Sequence, residues 1–148
     1  MIPQGAHPPC DVEAEADALG EILNNPQLLA TARGILKPEH FYSAVHGKIY
    51  EGMSFLEEAL RDSGIERDGK TGAALLTIGL LRAWLRDDGD VDPKTGQYLI
   101  ELRDCRPSVW SSFVAVCHRV RDRARLRETS RTLHKALGEI YDDNGPHD

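Results

Sequence analysis

At 148 residues, with 41% hydrophobic and 28% charged side chains, the chain has the size and balance of a single globular domain. No run approaches the roughly 18 apolar residues of a membrane span. The opening MIPQGAHPPCDVEAEADALG has no basic start or apolar core, which predicts a chain that stays in the cytoplasm. The net charge of −6 is unevenly spread: residues 1–102 carry 9 basic and 17 acidic side chains, 103–135 carry 9 and 3, and 136–148 add 4 acids alone.

Taken in chain order, almost every segment has helical spacing. Residues 1–10 form a flexible tail. Asp11 is a candidate N-cap, with Glu13 and Glu15 in the favourable first turn and a stripe through Val12, Ala16, Leu19 and Leu23. Asn25-Pro26 restarts the chain as N-cap and first helical residue, leading to Leu28, Leu29, Ala32, Ile35 and Leu36. Lys37-Pro38 ends that helix, because a residue before proline disfavours helical dihedrals. Ser43 caps the next one, whose stripe runs Val45, Ile49, Met53, Leu56, Leu60, and Gly64 stops it. Phe41 and Tyr42 are expected in the core. After a loop, an apolar helix carries Leu75, Leu76, Ile78, Leu80, Leu81, Trp84 and Leu85. DDGDVDP then turns into a short helix with Tyr98, Leu99 and Leu102. No segment alternates over any length, so the fold class is all-α, with about six to eight helices.

From about Ser108 to Tyr141 the apolar face changes direction. At about 100° per residue, Val109, Phe113, Val116, Val120 and Ala124 share one stripe, while Leu126, Leu133, Leu137 and Ile140 share another. A turn near Arg121–Arg125, or one helix leaving a globular body to meet a partner, would each explain the change. The hairpin is the favoured form, giving a head over 11–106, a self-associating hairpin over 107–142 and a flexible tail over 143–148. Leu126, Leu133, Leu137, Ile140 and Tyr141 are its candidate interface. Arg119, Arg121, Arg123, Arg125, Arg127 and Arg131 are candidate contacts to an acidic partner or to nucleic acid.

GIERDGKT, residues 64–71, satisfies the letter of a phosphate-binding loop. Such a loop needs a buried strand before it, whereas SFLEEALRDS continues a helical stripe, and Glu66 and Asp68 would sit beside the phosphates. Gly64, Gly69, Lys70 and Thr71 are therefore an accidental match, and no nucleotide or other cofactor is expected. His40 and His46 straddle a helix start and lack metal-ligand spacing, while Cys117 lies on an apolar stripe as a core thiol. No catalytic constellation follows from spacing, and no metal site is expected.

PPCDVEAEADALGEILNNPQLL, LKPEHFYSAVHGKIYEGM, GQYLIELRD and CRPSVWSSFVAVCHRVRDRARLRE occur in an order that resembles the N-terminal domain of bacterial replicative DNA helicases of the DnaB type. Pro38, Phe41, Tyr42, His46, Tyr98, Leu99, Leu126 and Arg127 are the most specific points of the resemblance, which covers about residues 8–142. It weakens between Met53 and Trp84, and no ATPase motor motifs are present in these residues. The resemblance implies a non-catalytic helical head and hairpin that joins a ring collar by self-association, as a dimer or a higher ring. It also implies docking of primase or a helicase loader, with DNA touched only indirectly or weakly. The alternative is a stand-alone helical regulator that binds nucleic acid through the arginines of 119–131.

Overall fold

Asp11 opens the first helix as its sequence suggests: its carboxylate accepts the Ala14 amide at 2.9 Å, satisfying one of the donors that a helix start leaves without a partner. In the computed structural model, which describes residues 11–63, 66–67, 70–71, 77–89, 93–104 and 112–144, six α-helices follow in order. They are α1 (Val12–Asn24), α2 (Leu28–Arg33), α3 (Ala44–Ser63), α4 (Ile78–Asp87), α5 (Pro93–Asp104) and α6 (Phe113–Asn144). A single 3-10 turn, Pro38–His40, lies between α2 and α3. The all-α class holds. Among the described residues it is joined by a pair of two-residue strands, β1 (Glu66–Arg67) and β2 (Lys70–Thr71), antiparallel with Glu66 opposite Thr71 and Arg67 opposite Lys70. In the sequence, Asp68-Gly69 is a strong two-residue hairpin signal, although both residues lie outside the described ones.

α1 is the central element and packs against α2, α3, α5 and α6. Its buried face consists of Ala14, Glu15, Asp17, Ala18, Leu19, Gly20 and Ile22, while Val12, expected in the stripe, is exposed. Two alanines and a glycine on this face allow neighbouring helices to come close. The core closes with Leu29, Leu36, Phe41, Ile49, Tyr50, Met53, Leu81, Leu85, Leu99, Leu102, Val116, Cys117 and Val120. Phe41 is buried and its ring lies 5.0 Å from that of Tyr50, whose hydroxyl donates to the Leu36 carbonyl at 3.0 Å. Tyr42, in contrast, is 42% exposed.

Asn25-Pro26 forms a turn rather than a helix start. The Leu28 and Leu29 amides donate to the Asn25 and Pro26 carbonyls, and α2 begins at Leu28. Ser43 does cap α3, its Oγ accepting the His46 amide at 3.4 Å. α4 ends at Asp87, and Gly89 takes φ 102°, a left-handed conformation that favours glycine. Leu75 and Leu76 lie outside the described residues.

The main correction concerns the last element. No turn interrupts Arg121–Arg125, and α6 is one helix of 32 residues. The sequence offers no glycine or proline from Phe113 to Leu137. The apolar face changes direction because the helix leaves the head, so its two halves have different surroundings without any break.

Candidate interaction surface on the last helix

α6 has two environments. Val116, Cys117 and Val120 are fully or almost fully buried against the head, with Phe113 packed beside them. Beyond Ser130 the burial stops, and every residue from Arg131 to Ile140 is exposed. On that arm Leu133, Leu137 and Ile140 are 58%, 55% and 54% exposed, and Leu126 at its root is 49% exposed. Positions 126, 133, 137 and 140 fall on one line of the helix, so the described surface carries a continuous apolar ridge. The side chain of Tyr141, the fifth expected interface residue, lies outside the described residues.

The arginines are less uniform than their sequence cluster suggests. Arg119 donates through Nε to Asp11, tying the root of α6 to the cap of α1. Burial alone would raise the Asp11 carboxyl. The hydrogen bonds from Arg119 and the Ala14 amide, with the charges of Arg119 and Arg123, outweigh burial and leave it below its ordinary value. Arg121 lies 2.7 Å from His118 Nδ1, and its own Nε is buried without a hydrogen-bond partner. Arg127, a candidate partner contact in the sequence, is only 7% exposed. It donates to the His40 carbonyl at 2.8 Å, and its guanidinium stands 5.4 Å from the centre of the Tyr42 ring. Tyr42 is thus a platform on the surface, outside the core. Burial first, then the charges of Lys37, Arg121 and Arg125, hold His40 below the usual histidine range against the opposing pull of Glu39. Arg123 is half-buried, and Arg125 and Arg131 are exposed.

A second arrangement joins α1, α3 and α5. The Glu15 carboxylate, 1% exposed, accepts the amides of Tyr42 at 2.8 Å and Ser43 at 3.2 Å. His46 Nδ1 lies 3.0 Å from Glu15, and His46 Nε2 lies 2.5 Å from the Tyr98 hydroxyl, with the two rings stacked. Above it opens a cleft of about 510 Å³ lined by Val12, Ser43, Val45, His46, Thr95 and Tyr98, among others. Sequence reasoning missed this triad because a buried carboxylate leaves no mark in a hydrophobicity pattern. The only available signal was that Glu15, His46 and Tyr98 all fall in the motifs of the resemblance. Both imidazole nitrogens face protein atoms, so the triad acts as a joint between helices.

Among the described residues no group of three or more His, Cys, Asp and Glu could hold a metal. Cys117 is fully buried, and burial, then Glu21, push its thiol up to about 12. Lys70 and Thr71 sit in the β1–β2 ladder, well before α4 begins at Ile78, and do not open a helix as a phosphate loop requires. Gly64 and Gly69 lie outside the described residues.

The profile of the family described as DnaB-like helicase N terminal domain matches residues 7–64. The replicative DNA helicase DnaB of Pasteurella multocida is 30% identical over 145 residues, 97% of this chain and 28% of its own length. That of Geobacillus stearothermophilus is 33% identical over 134 residues, 90% of this chain and 27% of its own. The chain thus spans well under a third of these relatives. The crystal structure of the N-terminal domain of DnaB helicase from Mycobacterium tuberculosis superposes with a TM-score of 0.75 over 95% of this chain and 91% of that one. At 20% identity that likeness speaks for the fold alone.

Proposed function

Because this chain belongs to the DnaB-like helicase N-terminal domains, we propose that it acts in DNA replication as a non-catalytic assembly and docking module. It would self-associate through α6, help to form the collar of a helicase ring in the cytoplasm, and offer its head to a primase or a loader. The observation that carries this reading is the ridge of Leu126, Leu133, Leu137 and Ile140 on a helix arm that no part of the described head covers. An isolated monomer gains nothing from holding four large aliphatic side chains in water, whereas a partner would remove that surface at about 25 cal/mol per Å². The nucleic-acid alternative is weakened by the engagement of Arg119 and Arg127 with Asp11, His40 and Tyr42.

Light scattering with circular dichroism tests the assembly reading. The wild type is expected to associate, and Leu133→Asp/Leu137→Asp to be monomeric with its helical head intact, because each charge would be desolvated in the seam. A wild type that stays monomeric at high micromolar concentration overturns the proposal. So does a variant that unfolds outright, since the ridge would then belong to the core.

A further inference from the structure

The root of α6 sorts its arginines by flank. At about 100° per residue Arg119 and Arg123 share one side, where Arg119 binds Asp11 and the charges of both act on it. Arg127 turns inward and fastens the Pro38–His40 turn to α6 through the His40 carbonyl. Arg121 and Arg125, one helical turn apart, are left on a different side. There they stand close enough to the Pro38–His40 turn for their charges, with that of Lys37, to act on the His40 ring.

Donors outnumber acceptors at this corner. The Lys37 amide donates to His40 Nδ1 at 3.0 Å, so in the neutral ring Nε2 carries the proton and is a further donor. Arg121 donates through Nη2 to His118 Nδ1, and its Nε is buried without a partner. Among the described residues, none of Lys37, Arg121 and Arg125 forms an ion pair, and Lys37 and Arg125 are exposed. We propose that the corner of Lys37, His40, Arg121 and Arg125 is where the head receives an acidic peptide segment of its docking partner, whose carboxylates accept the open N–H groups. The inference rests on the docking reading and adds the partner's chemistry and its place on the head.

Carboxylates suit the corner because guanidinium–carboxylate hydrogen bonds are charge-assisted. Arg121 and Arg125 also match two acidic side chains one turn apart on a helical peptide. A nucleic acid fits less well. Its phosphates form an unbroken row, whereas the corner spans one turn of each element and Glu39 is exposed at its edge. A peptide can set an uncharged residue beside Glu39. The net charge of −6 also repels a long polyanion before it reaches the corner.

Fluorescence anisotropy with the full chain at low salt tests the site. The probe is a short fluorescein-labelled peptide of alternating glutamate and alanine, set against the same peptide with glutamine for glutamate. The wild type should bind the glutamate peptide and not the glutamine one. Binding should weaken about tenfold in Lys37→Gln/Arg125→Gln, whose exposed positions leave the fold intact by circular dichroism. Arg131→Gln, farther along the helix and 3.5 Å from Glu128, should bind as the wild type does. In NMR the His40 ring should titrate at higher pH with the peptide present, because a carboxylate offsets the neighbouring cations. Equal binding of the two peptides, binding unchanged by Lys37→Gln/Arg125→Gln, or a His40 titration that the peptide does not move would overturn the site. So would an oligothymidylate of equal charge that binds more tightly than the peptide, since the corner would then suit nucleic acid. Binding of a purified primase or loader that survives Lys37→Gln/Arg125→Gln overturns the site and leaves docking standing. A chain that binds neither protein overturns both.

Discussion

Glu15 shows what a single residue does for this fold. A carboxylate out of water is tolerated only when its oxygens are occupied, and here two backbone amides and an imidazole occupy them. Glu15→Ala would leave those donors buried without an acceptor at the junction of α1, α3 and α5. Urea titration should show a loss of a few kcal/mol, since each donor left buried without an acceptor costs about 1–3 kcal/mol. Phe41→Ala should cost roughly 3–5 kcal/mol as a buried aromatic, whereas Tyr42→Ala, losing an exposed stack on Arg127, should cost about 1 kcal/mol or less. Equal costs would contradict the different environments of these neighbours. Cys117 adds a pH dependence. Its thiol is pushed up to about 12 in the fold, above its ordinary value, so its contribution is complete at neutral pH and is lost as pH rises from about 9 through 12. Cys117→Ala should flatten the alkaline fall in melting temperature.

At the scale of elements, two glycines separate close packing from apparent crowding. A Cβ at Gly52 on α3 would lie 2.6 Å from Trp84 Cε3 and 2.9 Å from Leu81 Cδ1 on α4, both held in the helix interface. Gly52→Ala should therefore destabilise by about 1–3 kcal/mol. A Cβ at Gly96 would lie 2.6 Å from Arg82 Nε, but that side chain is exposed and can swing aside. Gly96→Ala should be neutral or should gain up to about 1 kcal/mol from helix propensity. Two helix caps and most of the stripe of α3 were legible because they depend on local chemistry: Asp11 and Ser43 each act within a few residues, although Val45 at the head of the stripe is exposed. The phase of α1 was not, since its buried face is set by small residues and by what Glu15 must bind on another element. Tyr42 was misjudged for a similar reason, because its surroundings come from Arg127 on α6. The strand pair was missed because two-residue strands are too short to show alternation.

Across the whole molecule, the order of helices and the all-α class followed from apolar periodicity, while the course of α6 did not. A change of apolar face has the same signature whether the chain turns back or simply runs out of the body that covered it. The ridge residues could be named from sequence, but their exposure is a property of where the head ends. That division gives a prediction at this scale: among the described residues, a chain ending at Ser130 keeps every buried one of α6, including Arg127. It should melt cooperatively within a few degrees of the full chain, at concentrations where neither associates, and should remain monomeric where the full chain assembles. A truncated chain without cooperative melting would mean that the arm is part of the head's own core.

The arm also carries a consequence for exchange of its backbone hydrogens. From Arg131 to Ile140 the amides are protected only by the helix itself, and Gly138 within this stretch disfavours helix by about 1 kcal/mol relative to alanine. Helical segments this short hold together poorly in water without tertiary cover. In dilute solution these amides should therefore exchange with deuterium far faster than those of Val116–Val120. As concentration rises and a partner covers the ridge, the same ten residues should become slow, so that the degree of assembly is written in the protection of one helix end.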